Sequence, residues 1–282
     1  MSDSENTAFS SAARTRQLVS ALLRKKRVGT EENESIPARP VYSPCPASFA
    51  QQRLWLIDQM SKDSRYNLQV SLRLEERLEL GALRDAWREI LGRHESLRTT
   101  FAVIDEQIMQ FISPDLQPPL GVMDLSGENV SDPASRIRGV LEQQGQQGFD
   151  LAHGPLVRPL ILKIQPEEYI LCFTMHHIIS DGWSLTVLVR EFKELYAAFS
   201  QGRPSPLAPL AIQYADFAWW QRQRLTGDLL ETHLGYWRKQ LHGAPVLDLP
   251  ADRPRPRKES FTGSQWYFAI PEELTGRLRE LG

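Results

Sequence analysis

Cysteine is scarce: Cys45 and Cys172 are the only two in 282 residues. That count excludes a disulfide framework as the source of stability and fits a reducing cytoplasm. Long apolar runs are missing as well, so no segment reads as a membrane span. The chain opens Met1-Ser-Asp-Ser-Glu-Asn6, polar and acidic, without the basic and apolar regions of a signal peptide. An excess of either charge is also lacking. With 33 Lys and Arg against 35 Asp and Glu, the net charge is −2, and nothing suggests a nucleic-acid surface. Internal repeats and low-complexity tracts do not occur. What remains is 41% hydrophobic residues, ample for a core in a chain that is long for one domain. The expectation is a cytoplasmic globular protein with neither nucleic acid nor membrane as partner.

The chain is organised around residues 167 to 199. Glu168 to Met175 is a short run rich in aromatic and apolar residues, which predicts a buried strand. It leads into His176-His177-Ile178-Ile179-Ser180-Asp181-Gly182-Trp183. From Ser184 the period changes: Leu185, Leu188, Val189, Phe192, Leu195, Tyr196 and Phe199 fall at helical spacing with charged residues between them. Ser184 is the expected N-cap. Two imidazoles, a carboxylate and a glycine therefore sit on a tight loop between two rigid elements, where functional side chains tend to be held. A histidine can take a proton from a nucleophile near neutral pH. Neighbouring residues at a strand end point to opposite sides, so one histidine can face a cleft while the other supports the strand. Asp181 can fix the loop by hydrogen bonding or by pairing with an arginine. Gly182 permits a backbone conformation that a side chain would penalise.

Two plainer readings compete. A histidine beside an apolar strand is commonly a satisfied core residue. Zinc is the other alternative, with Cys172 nearby, but adjacent histidines rarely converge on one ion. His94, His153, His233, His242 and Cys45 show no metal-ligand spacing. Acid–base work ranks above metal binding, and no metal is expected.

His176-His177-x-x-x-Asp181-Gly182 resembles the HHxxxDG signature of nonribosomal peptide synthetase condensation domains, members of the chloramphenicol-acetyltransferase-like superfamily. Ser48-Phe-Ala-Gln-Gln-Arg-Leu-Trp55 is similar to that family's first motif, Arg93-His-Glu-Ser-Leu-Arg98-Thr-Thr-Phe101 to its second and Tyr214-Ala-Asp216-Phe-Ala-Trp219 to its fourth. They occur in family order, and the resemblance covers roughly residues 45 to 282. It implies an α/β fold, an α+β two-layer sandwich whose lobe carries a mixed sheet and flanking helices. In that fold two similar lobes form a V with the signature loop where they meet. Residues 45–200 would form the first lobe, 201–282 a crossover and the incomplete start of the second, and 1–44 a lead-in. The later FVNT-type and QDxPFE-type motifs are absent, which reads as a chain stopping within the second lobe, a fragment itself poorly active.

The implied reaction is amide-bond formation between thioesters presented on the phosphopantetheine arms of upstream and downstream peptidyl carrier proteins, next to an adenylation domain, with no cofactor bound directly. His177 is expected to face the amine, as general base or by positioning it. His176 and Asp181 are expected to be structural, and Gly182 to keep the backbone clear of the tunnel. Arg93 or Arg98 would pair with Asp181, against the plainer reading of solvated arginines. Trp183 and Ser184 complete the supporting set. Ser48, Gln51, Arg53 and Trp55 would position the first helix. Thiol chemistry at Cys172 is disfavoured by its apolar strand. The wording of the first motif resembles domains that join an L-donor to an L-acceptor. A coenzyme A-dependent acyltransferase of the same fold and a non-catalytic docking lobe stand as alternatives.

Around these motifs, patterning predicts a helix over 10–27, a second opened by the capping box Ser48-x-x-Gln51 and running to about Met60, and a strand over 68–74. A helix follows with Ala82, Leu83, Ala86, Trp87, Ile90 and Leu91 inward, then a hairpin from Leu97 to Ile112 turning at Asp105-Glu106. Residues 113–133 read as loop, Ala134 to about Gln144 as a helix, and Leu156 to Ile164 as a central strand. Helices over Tyr214–Leu225 and about Leu229–Leu241, a strand over Gln265–Ile270 and a helix over Glu272–Leu281 complete the reading. Trp219 and Trp220 read as packing residues.

Overall fold

The computed structural model describes residues 35–61, 63–127, 132–254 and 268–281. The helix expected over 10–27 lies outside them. Two sheets organise the described chain. The smaller joins β1 (Cys45–Pro46), β4 (Gln107–Ile112) and β3 (Thr99–Ile104) in the order β1-β4-β3. The larger joins β2 (Asn67–Leu74), β7 (Glu168–His176), β6 (Val157–Gln165) and β5 (Gly121–Asp124) in the order β2-β7-β6-β5. Its β2–β7 and β7–β6 pairs are antiparallel and β6–β5 is parallel, giving the mixed sheet expected.

Period-two alternation decides which helix each strand face meets. On β7, Leu171, Phe173 and Met175 enter the main core with α2 (Leu80–Arg93) and α4 (Gly182–Phe199). The Phe173 ring lies tilted at 5.7 Å from Trp87 of α2 and edge-on at 5.4 Å from Phe192 of α4. Ile170 and Cys172 face the other way, into a smaller cluster with Val140 of α3 (Pro133–Gln146). Beyond the two layers expected, α3 thus covers the second sheet face. The buried face of α2 holds Ala82, Leu83, Ala86, Trp87, Ile90 and Leu91, the set its periodicity marks.

The first capping box forms reciprocally ahead of α1 (Phe49–Ser61). Ser48 N donates to Gln51 Oε1 at 2.9 Å, and Gln51 N to Ser48 Oγ at 3.2 Å. The β3–β4 hairpin turns where expected, with φ of 47° at Asp105 and 62° at Glu106, the left-handed pair of a tight primed turn. Two boundaries differ from expectation. Glu95–Arg98 is a short 3₁₀ turn before β3 starts at Thr99. The supposed loop over 113–133 contains β5, a four-residue edge strand too short and too weakly apolar to signal itself. Gly154 is the glycine the turn before β6 requires: its φ is +63°, and a Cβ there would meet Thr100 Cγ2 at 2.9 Å.

After α4 come α5 (Tyr214–Arg224), α6 (Gly227–Leu241) and α7 (Glu272–Leu281). α5 packs on β1, burying Ala215, Asp216 and Ala218, while Trp219 and Trp220 are only half-buried. Of the strand expected over 265–270, residues 265–267 lie outside the description and Phe268 to Ile270 form no strand. No helix among the described residues is long and apolar enough to cross a membrane.

Candidate active site

β7 ends at His176, and six residues later α4 begins at Gly182. His176 N donates to Leu156 O of the neighbouring chain segment at 3.0 Å, and His177 N donates to Tyr66 O on the opposite side at 2.8 Å. The two imidazoles consequently leave the strand in different directions. His176 is buried at 2% exposure, edge-on to Phe149 at 6.2 Å. Its Nδ1 accepts from Ile178 N at 3.1 Å, which places the proton of the neutral ring on Nε2. Burial pulls its pKa down to about 4, against a smaller opposing pull from Asp58. The side chain is a neutral bracket of the loop.

His177 is half-buried and lines a cleft with Gln51, Arg53, Asp181, Ser184 and Tyr214. Tyr66 lies edge-on to its ring at 6.4 Å. Among the described residues neither ring nitrogen has a hydrogen-bond partner, so the imidazole can engage a group entering the cleft. The expectation that one histidine faces a cleft and its neighbour supports the strand is met.

Three expected roles need correction. Ser184 is not the N-cap of α4. Asp181 is: its Oδ1 accepts from Ser184 N at 2.7 Å and from Ser184 Oγ at 2.6 Å. Those two bonds, with the nearby His177 adding to them, hold the Asp181 carboxyl below its ordinary range. Neither arginine pairs with Asp181, and neither is solvated. Arg98 is buried and donates to Leu91 O at 2.6 Å, Ser113 O at 3.0 Å and Gly92 O at 3.3 Å, closing the carbonyl end of α2. Arg93 Nε donates to Glu191 Oε2 of α4 at 3.0 Å, and His94 Nε2 meets the same oxygen at 2.7 Å. Burial opposes ionisation of Glu191, yet its His94 and Arg93 partners hold it below the usual range. The arginines thus brace α2 and α4 instead of locking the loop. Gly182, as first residue of α4, has no positive φ and open space where a Cβ would stand. It is not needed for backbone freedom. Arg53, expected to position α1, is exposed and lines the His177 cleft together with Gln51.

The sequence motifs are brought together by contacts their spacing does not announce. Gln51 Nε2 donates to Gln110 Oε1 at 3.1 Å and to Ile178 O in the signature loop at 3.3 Å. Ser48 Oγ and Tyr214 OH are 2.9 Å apart, joining the first motif to the fourth. Asp216 Oδ1 accepts from Arg39 Nη1 at 2.7 Å, and Arg39 Nη2 donates to Glu95 Oε2 at 2.8 Å. Sequence reasoning missed Tyr214 as a lining residue and Arg39 as the link between Asp216 and Glu95. The one signal was their company, a matched motif around Tyr214 and a proline-rich lead-in around Arg39. Cys172 is fully buried, and burial pushes its thiol pKa up, as its apolar strand implies. Trp183, at the other side of the loop, is 81% exposed.

A family model described as Condensation domain matches residues 43–282. Malpinin synthetase of Mortierella alpina is 39% identical over 261 residues, covering 91% of this chain and 3% of that protein. Among solved structures, the X-domain in the complex of the X-domain and OxyB from teicoplanin biosynthesis superposes with a TM-score of 0.69 at 30% identity, over 81% of this chain and 50% of that one. The starter condensation domain of rhizomide synthetase RzmA superposes with a TM-score of 0.64 at 22% identity, over 71% and 48% respectively, a likeness of fold. The chain spans a few per cent of malpinin synthetase and about half of each solved chain.

Proposed function

The chain belongs to the condensation-domain family, and from that membership and the loop geometry we propose that it serves amide-bond formation in nonribosomal peptide synthesis. The observation that carries the reading is the asymmetry of the two histidines. His176 is spent on structure, while His177 offers two unengaged ring nitrogens to a cleft whose walls come from all the matched motifs but the second.

The substrates in this reading are aminoacyl or peptidyl thioesters on the phosphopantetheine arms of two peptidyl carrier proteins, charged by an adjacent adenylation domain in the cytoplasm. The acceptor's amine nitrogen attacks the donor's thioester carbonyl. A C–N bond forms, the C–S bond breaks, and the chain moves to the acceptor arm. The amine's proton passes to His177 and from there to the departing thiolate. Holding the amine against the carbonyl supplies the other part of the rate. His176 and the Asp181 cap act only through the position of His177. The first motif's wording favours an L-donor and an L-acceptor.

The test is a reaction of the full-length protein with one donor-loaded and one acceptor-loaded carrier, the product released and weighed by mass spectrometry. The expected result is a single amide on the acceptor arm, abolished when either arm is left unloaded. Equal turnover with a soluble acyl-CoA and a free amine would favour the coenzyme A-dependent alternative. A docking lobe is the second reading, since an X-domain solved in complex with OxyB is among the similar structures. It predicts no amide with any loaded pair.

A further inference from the structure

A second cavity adjoins the His177 cleft without His177 in its lining, and Ile179, Ser180, Ser184 and Tyr214 line both. From α4 it receives Trp183, Val187 and Leu188, and from the end of β7 Met175. The segment before α5 adds Leu210 and Ile212, 37% and 39% exposed. Among the described residues, no Asp, Glu, Lys or Arg lines it. Its polar side chains, the Ser96 hydroxyl and the Trp183 indole N–H apart, are already engaged within the protein. His94 is held by Glu191, and Ser184 Oγ donates to Asp181. Ser180 Oγ donates to His176 O at 3.3 Å, and Tyr214 OH meets Ser48. Gln213 Nε2 donates to Arg93 O at 2.9 Å while its Oε1 accepts from Glu95 N at 3.2 Å.

What this cavity offers a visitor is mainly apolar surface, with the Ser96 hydroxyl and the Trp183 indole N–H. A charged group entering it would shed water and find no counter-charge, which is costly, whereas an aliphatic or aromatic group gains from burial. The shared walls place such a group beside the His177 cleft. Resting on the function proposed above, we infer that this cavity is a specificity pocket that takes the apolar side chain of one of the two carrier-bound aminoacyl groups, with Val187 of α4 and Leu210 of the segment before α5 setting what fits.

The experiment uses the full-length protein and carriers loaded with Ala, Leu or Lys, varied first on the donor and then on the acceptor. In one of the two positions Leu should exceed Lys by about tenfold or more in kcat/KM, the scale on which a hydrophobic pocket discriminates. Val187→Trp fills the cavity and should cut the Leu-to-Ala ratio at that position by about tenfold. Leu210→Ala, on an exposed segment where folding is not at stake, should move the same ratio toward bulkier side chains. Ratios unmoved by either variant, or a wild type that accepts Lys as well as Leu in both positions, overturn the pocket assignment and leave the function standing. A wild type that forms no amide with any pair overturns both.

Discussion

His176 and His177 share a residue type and a strand end, yet their surroundings divide them. The buried His176 with its pKa near 4 refuses a proton that an unfolded histidine accepts below its ordinary 6.5. Between those values the unfolded state binds more protons than the folded one, so stability rises with pH. Acidification from about 6.5 to about 4 should therefore remove stability on the order of 3 kcal/mol through this one group. The depressed carboxylates Asp181, Glu191 and Asp216 contribute in a lower window, below their ordinary values of 3.8 to 4.5. Denaturant midpoints measured at several pH values check this: the slope between pH 4 and 6.5 should flatten in His176→Asn and persist in His177→Ala. That His176 would be structural was readable from strand alternation. Its neutrality was not, because Phe149, whose ring it meets edge-on, and Leu156, which accepts from its N–H, come from other segments.

Among the elements, α4 carries the site, and two of its residues explain how it is held. Asp181→Ala should lower stability by about 1 kcal/mol through loss of the N-cap, and Asp181→Asn should restore it, because asparagine caps as well as aspartate. A loop lock through an arginine would instead make both variants equally damaging. Glu191→Ala strands Arg93 in a half-buried pocket and should cost about 3–5 kcal/mol, as breaking a buried ion pair does. Thermal or denaturant unfolding reads both. Local patterning announced α2 and α4 by their apolar period, β7 by its apolar run and α1 by its capping box. It misassigned the α4 cap by three residues because Ser184 and Asp181 are both capable caps, and only the bond from Ser184 N to Asp181 Oδ1 decides between them. Arg93 and Arg98 resisted reading for a different reason. Their partners, Glu191 and the carbonyls of Leu91, Gly92 and Ser113, are fixed by how α2 packs.

At the scale of the whole molecule, the matched motifs meet. Ser48 reaches Tyr214, Gln51 reaches the carbonyl of Ile178, and Asp216 is tied through Arg39 to Glu95. Motif order in the chain foretold the family but not this convergence, which depends on α5 folding back onto β1. The two cavities beside the signature loop were invisible in the sequence for the same reason: their walls are assembled from α1, α4, the 3₁₀ turn and the segment before α5. The most direct measurement of the central claim compares single-turnover amide formation by wild type and His177→Ala, in the full-length protein with both carriers loaded, alongside the unfolding midpoint of each. Loss of general-base and positioning help should slow the variant by about 10²–10⁴-fold with the midpoint unmoved. A variant that folds normally and condenses at the wild-type rate would contradict the account, leaving His177 a cleft residue without a part in the chemistry.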